Sequence, residues 1–153
     1  MQPLTFLTVA SLLAVVLGEV AVFKKCEPAA DDICTISEVR ITPCKSDKVC
    51  KLKKGELHSI SFDFVPNFTT QKLKTGVFWA NGAVDVPFAE LQEADGCQYT
   101  TCPTEAGKSQ QLNYSLRIGK KLPSGKFQLK WKVWNEENSD QYCCFLSNIR
   151  IMK

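Results

Sequence analysis

The 153-residue sequence predicts an all-β protein, folded as a β-sandwich of six to eight short strands. Three observations indicate this fold class. Apolar and polar residues alternate with a period of two along several segments, turn-forming residues separate those segments, and eight cysteines are available to link them. No amphipathic helical pattern of useful length interrupts the series.

The first eighteen residues are predicted to be a secretory signal peptide. Residues 4–17 form a run that is apolar apart from Thr and Ser, and it is shorter than the about 20 residues that span a bilayer. Val16 and Gly18 supply a small-residue cleavage pattern, so the mature chain is expected to begin at Glu19. A buried N-terminal helix is the alternative. The predicted domain is therefore 19–153, secreted or in the endosomal-lysosomal lumen.

Two strands are predicted in the first half of the mature domain. A short one is expected at 39–41. In 59–65, Ile60, Phe62 and Phe64 share one parity and alternate with polar side chains. Since successive side chains of a strand point to opposite faces, this alternation predicts a half-buried strand with a wet outer face.

The second half is expected to contribute the remaining strands. The strongest alternation lies in 126–134, where apolar side chains alternate with three lysines and one glutamine. Its inward residues are Phe127, Leu129, Trp131 and Val133. A strand at 112–118 has the inward residues Leu112, Tyr114, Leu116 and Ile118. Short strands are expected at 149–151 and at 76–79, although the pattern does not identify the inward face of 76–79.

Turn signals fall between the predicted strands. Proline fixes the backbone at such positions, and glycine and asparagine permit the left-handed conformations that tight turns use. The turns are expected at Thr42-Pro43, Lys54-Gly55, Asn81-Gly82, Asp95-Gly96 and Pro123-Ser124-Gly125.

Composition argues against nucleic-acid binding. The chain has 19 basic and 16 acidic residues, a net charge of +3, and its lysines are scattered. Nucleic-acid-binding domains usually carry a denser basic face. A weak attraction to anionic membrane surfaces is compatible with this charge.

An even number of cysteines in an exported chain predicts disulfide bonds. Cys143 and Cys144 are adjacent, and a bridge between neighbours would be strained. In a strand the two side chains would point to opposite faces and so reach different partners. The spacing of the other cysteines suggests short loops closed by Cys44–Cys50 and Cys97–Cys102.

The remaining cysteines are predicted to pair as Cys26–Cys144 and Cys34–Cys143, with exchange of the partners as the alternative. A bridge that closes nearly the whole domain is worth about 4–5 kcal/mol in the chain-entropy account, against about 2 kcal/mol for a short loop. A zinc site is the competing interpretation. The spacings are not C-x2-C pairs and the compartment is oxidising, so no metal or other cofactor is expected.

Several short motifs give the chain a family resemblance. Val86-Pro87-Phe88, then Asp95-Gly96-Cys97 and Cys102-Pro103, resemble the ML lipid-recognition family. The similarity is strongest to the small secreted Niemann-Pick type C sterol and lipid carriers, including arthropod members, and it extends over 19–153. Further matching pieces occur in the family's order: Phe23-Lys24-Lys25-Cys26, Thr42-Pro43-Cys44, Cys50, Lys54-Gly55, Leu122-Pro123, Trp131 and Cys144-Phe145.

The resemblance implies an immunoglobulin-like β-sandwich of seven or eight strands, whose splayed sheets enclose an apolar tunnel for a single lipid. It also implies three bridges, corresponding here to Cys26–Cys144, Cys44–Cys50 and Cys97–Cys102. Cys34 and Cys143 depart from the family pattern, and their bridge is inferred from this chain alone. Ligands of the family include cholesterol, fatty acids, semiochemicals and lipid A.

The resemblance also nominates residues of a lipid-binding cavity. By position these are Phe88 at the rim, Val86, Ile118, Leu122 and Pro123 at the mouth, Phe127, Leu129 and Trp131 along one wall, and Ile60, Phe62, Phe145 and Ile149 in the remaining lining. Periodicity places half of these residues on inward faces, but a packed core would need the same faces. Sterol carriers of the family tend to have an aromatic residue where this chain has Leu122, which favours a flexible acyl chain over a rigid sterol.

Three other polar residues are candidates for a special role. His58 is the only histidine and has inward parity. If it lies near the pocket, its protonation would make lipid release depend on pH. The simpler interpretation is a partly exposed residue at the end of a strand. Asn67 and Asn113 begin N-glycosylation sequons.

Together these features predict a lipid carrier and not an enzyme. One histidine and no expected free thiol exclude most nucleophile–base arrangements. The carrier is expected to bind one sterol, fatty acid or similar lipid as a monomer and to deliver it to a membrane or to an acceptor protein. The alternative is a secreted protein-binding or innate-immune recognition module of the same fold, which binds lipid A or a receptor.

Overall fold

The computed structural model describes residues 19–27, 32–44, 49–82 and 84–153. The predicted signal segment 1–18 lies outside them. The described residues form ten strands and one 3-10 turn at Gly96–Gln98. In chain order the strands are β1 (Phe23–Lys25), β2 (Cys34–Thr42), β3 (Cys50–Lys53), β4 (Leu57–Pro66), β5 (Leu73–Asn81), β6 (Val84–Pro87), β7 (Ala94–Asp95), β8 (Gln110–Arg117), β9 (Gly125–Asn135) and β10 (Asn138–Met152).

The strands form two sheets that pack as a sandwich, which confirms the predicted fold class. The larger sheet has the order β1-β10-β9-β5-β6, with β3 paired to β10 and β7 paired to β5. The smaller sheet has the order β2-β4-β8. The ten strands exceed the predicted seven or eight, and the count includes four short strands of at most four residues each: β1, β3, β6 and β7. Within the described part of the chain, no helix is long and apolar enough to cross a membrane.

Alternation along β4 and β9 builds the core. In β9, Leu129, Trp131 and Val133 are fully buried, whereas the lysines between them are partly exposed. Phe62 of β4 reaches across from the smaller sheet and lies 5.7 Å from the Trp131 ring and 5.1 Å from the Phe145 ring, measured between centroids. Inward aromatic rings of the two sheets therefore interdigitate, as in other sandwich cores.

The longest strand, β10, was the least well predicted from the sequence. β10 extends over fifteen residues, of which only 149–151 were predicted as strand. Its middle lacks a clean alternation because Cys143, Cys144 and Phe145 are all buried. The reason is that β10 is covered on its inner face by the smaller sheet, while Cys144 is covered at its outer face by a bridge to Cys26.

Four disulfide bonds are formed, Cys26–Cys144, Cys34–Cys143, Cys44–Cys50 and Cys97–Cys102, and none of the described cysteines is free. The exchanged pairing is not the one formed. Cys143 shares the inward parity of Phe145 and reaches Cys34 at the start of β2, so this bridge joins the two sheets. Cys144 has the opposite parity and reaches Cys26, directly after β1, within the larger sheet.

Candidate functional site

A gap in the larger sheet creates the site. β5 and β9 pair from Leu73↔Asn135 to Trp79↔Leu129, and the described residues of the two strands do not pair beyond that point. From there β5 pairs only with β6, while the first residues of β9 pair only with β10. The two strands diverge, and the connection from β8 to β9 crosses between the sheets at the same end.

The divergence leaves a pocket of about 470 Å³. This volume lies within the range of about 300–1,000 Å³ that is usual for small-molecule sites. The residues around it come from β5, β6, the β8–β9 connection and the start of β9: Trp79, Ala80, Val86, Leu122, Pro123, Lys126, Phe127 and Gln128.

The lining of the pocket is mainly apolar. The Trp79 and Phe127 rings lie 5.1 Å apart between centroids and form one wall. Leu122 is half-buried, whereas Val86 is 47% exposed. Such a surface suits an apolar ligand, because removing apolar area from water is favourable by about 25 cal/mol per Å².

A second cavity adjoins the first. It has a volume of about 370 Å³ and is bordered by Val49, Asn148 and Ile149 together with three residues that also border the larger pocket. The shared residues are Lys126, Phe127 and Gln128, so this short stretch of β9 separates the two spaces.

The structure divides the twelve residues nominated from the sequence into three groups. Val86, Leu122, Pro123 and Phe127 line the larger pocket. Ile149, together with Phe127, borders the second cavity. The other seven line neither of these two spaces and are at most 1% exposed in the packed core: Ile60, Phe62, Phe88, Ile118, Leu129, Trp131 and Phe145.

Phe88 lies deeper than its predicted place at the rim. It is 1% exposed, and its ring packs 4.9 Å from the Trp79 ring between centroids. Its backbone N–H donates to the Val77 carbonyl oxygen at 2.8 Å, and the Val77 N–H donates to Leu91. These bonds tie the segment after β6 to β5, so Phe88 packs beneath Trp79 in the core.

Four residues of the pocket lining were not predicted from the sequence: Trp79, Ala80, Lys126 and Gln128. The parity of the 76–79 segment could not be assigned from its pattern. A usable signal was the Asn81-Gly82 turn, which predicts a hairpin between 76–81 and the segment that carries Val86. In the observed register of this hairpin Trp79 lies opposite Val86.

His58 lies away from the pocket lining and is 1% exposed, so it is not the partly exposed residue of the simpler interpretation. Its Nε2 atom lies 3.1 Å from the Lys53 backbone nitrogen and 3.0 Å from the Lys53 carbonyl oxygen. Its Nδ1 atom is buried without a hydrogen-bond partner. The ring therefore ties β4 to β3 at the end of the smaller sheet.

Tyr114 of β8 contacts the segment after β6 and the core ring Trp131. The Tyr114 hydroxyl donates to the Glu90 carbonyl oxygen at 3.2 Å, and its ring packs on Tyr99 and Trp131. Burial raises the pKa of this hydroxyl above its ordinary value, with smaller contributions from Tyr99 and Glu90. The hydroxyl is therefore neutral at physiological pH and serves as a donor.

The two sequons occupy different settings. Asn113 is exposed in the middle of β8, on the outer face of the smaller sheet opposite Ser61. Asn67 is also exposed, but its side-chain amide donates to the Asp32 carbonyl oxygen at 2.5 Å. Both side chains lie on the surface of the domain.

Fold and site together define a disulfide-bonded β-sandwich with an apolar pocket at one end. Residues 20–151 match the family model described as ML domain. The chain is 51% identical to the MD-2-related lipid-recognition protein of Manduca sexta over the full length of both. It is 32% identical to NPC intracellular cholesterol transporter 2 of Bos taurus, over 90% of this chain and 93% of the relative. The chain belongs to the ML domain family.

A solved structure shows the same fold. The Niemann-Pick type C2 protein from the Japanese carpenter ant superposes with a TM-score of 0.73 at 20% sequence identity. The match covers 86% of this chain and 99% of the ant protein, so the two share the architecture of the whole domain.

Proposed function

We propose that this protein is a secreted lipid carrier that binds one lipid molecule in the pocket between β5 and β9. The observation that carries the proposal is the apolar pocket of about 470 Å³ in an ML domain. The Manduca relative is named for lipid recognition and the bovine relative for cholesterol transport, and both names support a lipid ligand.

The pocket is the proposed entrance of the binding site. Leu122, Pro123 and Val86 border it, and the Trp79–Phe127 wall leads inward toward the buried residues nominated from the sequence. Those core residues pack against one another across the two sheets. A ligand longer than the pocket would therefore separate the sheets locally and displace aromatic rings as it enters, with its apolar chain replacing the lost contacts.

Release is proposed to occur when this end of the sandwich meets a membrane or an acceptor protein. Lys120, Lys121 and Lys126 are exposed around the pocket. Their charge would favour encounter with anionic surfaces, and salt would weaken this attraction. Transfer to anionic vesicles that depends on neither salt nor lipid charge would contradict this step.

Carriage is tested by purification and by uptake of a probe. Protein purified from its native source should contain extractable lipid in a molar ratio near one, identified by mass spectrometry, and lipid-free protein should take up a fluorescent fatty acid or sterol. Absence of both would contradict carriage and would instead favour a protein-binding module.

A pair of matched substitutions localises the binding. Leu122→Trp places a larger ring in the pocket and should weaken probe uptake about tenfold or more, as the loss of pocket space does in other apolar sites. Leu57→Trp is the control, because Leu57 is 57% exposed and lies outside the pocket lining. Equal uptake by both variants would place the ligand elsewhere.

A further inference from the structure

The Cys34–Cys143 bridge lies at the end of the sandwich opposite the pocket. We propose that this bridge limits how deeply a ligand enters between the sheets and thereby selects the chain length of the bound lipid. The inference rests on the proposed function and adds the element that determines which acyl chains fit.

Strand β9 leads from the pocket to the bridge. Phe127, near its start, borders the pocket, and Val133, further along, lies opposite Cys143 of β10. Between them Leu129 and Trp131 belong to the core and are fully buried. At about 3.3 Å per residue, the stretch from Phe127 to Val133 spans about 20 Å. An extended hexadecanoate chain is of comparable length, so a common fatty acid that followed this strand inward would end near the bridge.

The bridge brings the two sheets close together. Cys34 belongs to the smaller sheet and Cys143 to the larger one, and their Cα atoms are 5.2 Å apart. Facing sheets usually lie about 10 Å apart, whereas a disulfide bond keeps its two Cα atoms within about 7 Å. An acyl chain between two backbones needs contacts of about 3.5–4 Å on each side, which is about 7–8 Å in all. The intact bridge therefore leaves no passage for the chain between β2 and β10.

Packed side chains fill the remainder of this end. Phe64 of β4 and Leu73 of β5 are at most 1% exposed and belong to the same core cluster as Cys143. Such non-covalent contacts yield when a ligand replaces them, whereas a covalent bond does not. The bridge is thus the fixed limit at the far end of the site.

A second bridge of similar loop size provides the control. Cys26–Cys144 spans 118 residues, against 109 for Cys34–Cys143, and it is attached to the same strand, β10. It lies within the larger sheet, next to the pairing of β1 with β10, and does not join the two sheets. Its removal therefore matches the loss of a long-range bridge without freeing the sheets from each other.

The test measures affinity as a function of chain length. Even-numbered saturated fatty acids from dodecanoate to tetracosanoate, supplied from cyclodextrin, displace the neutral fluorescent probe N-phenylnaphthylamine at neutral pH and without vesicles. Each added methylene should raise the affinity of the wild type by up to about fourfold until the chain reaches the bridge. Beyond that length the affinity should stop rising or fall. A continuous rise up to tetracosanoate would overturn the inference, whether or not any variant folds.

Two double variants assign the limit to one bridge. Cys34→Ala/Cys143→Ala should move the optimum to longer chains and raise the affinity for tetracosanoate relative to dodecanoate about tenfold or more, as the burial of two further methylenes would. Cys26→Ala/Cys144→Ala should keep the optimum of the wild type. The three proteins are compared at a temperature at which near-ultraviolet circular dichroism shows each of them to be folded.

The outcomes separate the inference from the proposed function. An unchanged optimum in Cys34→Ala/Cys143→Ala, or an equal shift in both variants, would overturn the inference while carriage stands. The same holds if the wild type binds the probe or a fluorescent sterol and none of the fatty acids. Failure of the wild type to bind the probe, any fatty acid or a fluorescent sterol would overturn the proposed function and the inference with it.

Discussion

The two long-range disulfides should not contribute independently to stability. Cys26–Cys144 and Cys34–Cys143 span 118 and 109 residues, so each alone would close a loop worth about 4.8 kcal/mol. When one is already formed, however, the covalent path between the other two cysteines runs through it. That path contains only about ten residues, because the four cysteines are close neighbours in sequence, and closing it is worth about 2.7 kcal/mol.

Removal of one bridge should therefore cost less than its sequence separation suggests. Cys34→Ala/Cys143→Ala and Cys26→Ala/Cys144→Ala are each expected to lower the free energy of unfolding by about 2.7 kcal/mol, and removal of both by about 7.5 kcal/mol. Alanine avoids leaving a free thiol or an unsatisfied hydroxyl in the core. For a domain of this size, each single removal corresponds to a fall in Tm of about 8–13 °C.

Urea denaturation under non-oxidising, non-reducing conditions measures these values. Single removals that each cost close to 4.8 kcal/mol and add up in the combined variant would refute the path argument. The inter-sheet bridge lies opposite Val133, in the half of β9 away from the pocket. Cys34→Ala/Cys143→Ala should accordingly retain probe uptake at temperatures where it is folded.

Two further expectations concern acid stability and the depth of the binding site. A side-chain hydrogen bond from Arg40 lowers the pKa of Asp63 in the folded protein. The pair therefore stabilises the fold fully above the pKa of Asp63 in the unfolded chain, which is near 4. This stabilisation is lost as the pH falls through the lower pKa of the folded state. Asp63→Asn should thus be less stable than the wild type at pH 7 and should lose less stability between pH 4 and 2. If the urea midpoints of the two proteins fall in parallel with pH, Asp63 is not a source of the acid sensitivity. Brominated fatty acids should quench Trp79 in a Trp131→Phe/Trp134→Phe variant, and they should quench Trp131 in a Trp79→Phe/Trp134→Phe variant only if the ligand extends between the sheets.

The strands with one wet face were predictable from the sequence. β4 and β9 each bury one parity and expose the other, so a period of two marks their limits and their inward residues. β10 was mostly missed because its sequence does not show this alternation clearly. Its burial alternates only from Phe145 onward, since Cys143, Cys144 and Phe145 are buried in succession, and Ser147 is a polar residue at an inward position.

The candidate site was predictable only in part. Val86, Leu122, Pro123 and Phe127 came from family motifs and do border the pocket. Trp79 and Lys126 were not identified, since their proximity depends on where two strands stop pairing.

The sequence by itself determined the fold class, the inward residues of the alternating strands and, through opposite strand parity, that the adjacent cysteines require different partners. These properties are local, because each follows from the chemistry of residues close together in the chain. Only the tertiary structure decided that β5 and β9 diverge after Trp79↔Leu129, that Phe88 packs beneath Trp79, and that Lys126 borders the pocket. Those features depend on pairing between strands far apart in sequence, and neither alternation nor composition encodes where that pairing ends.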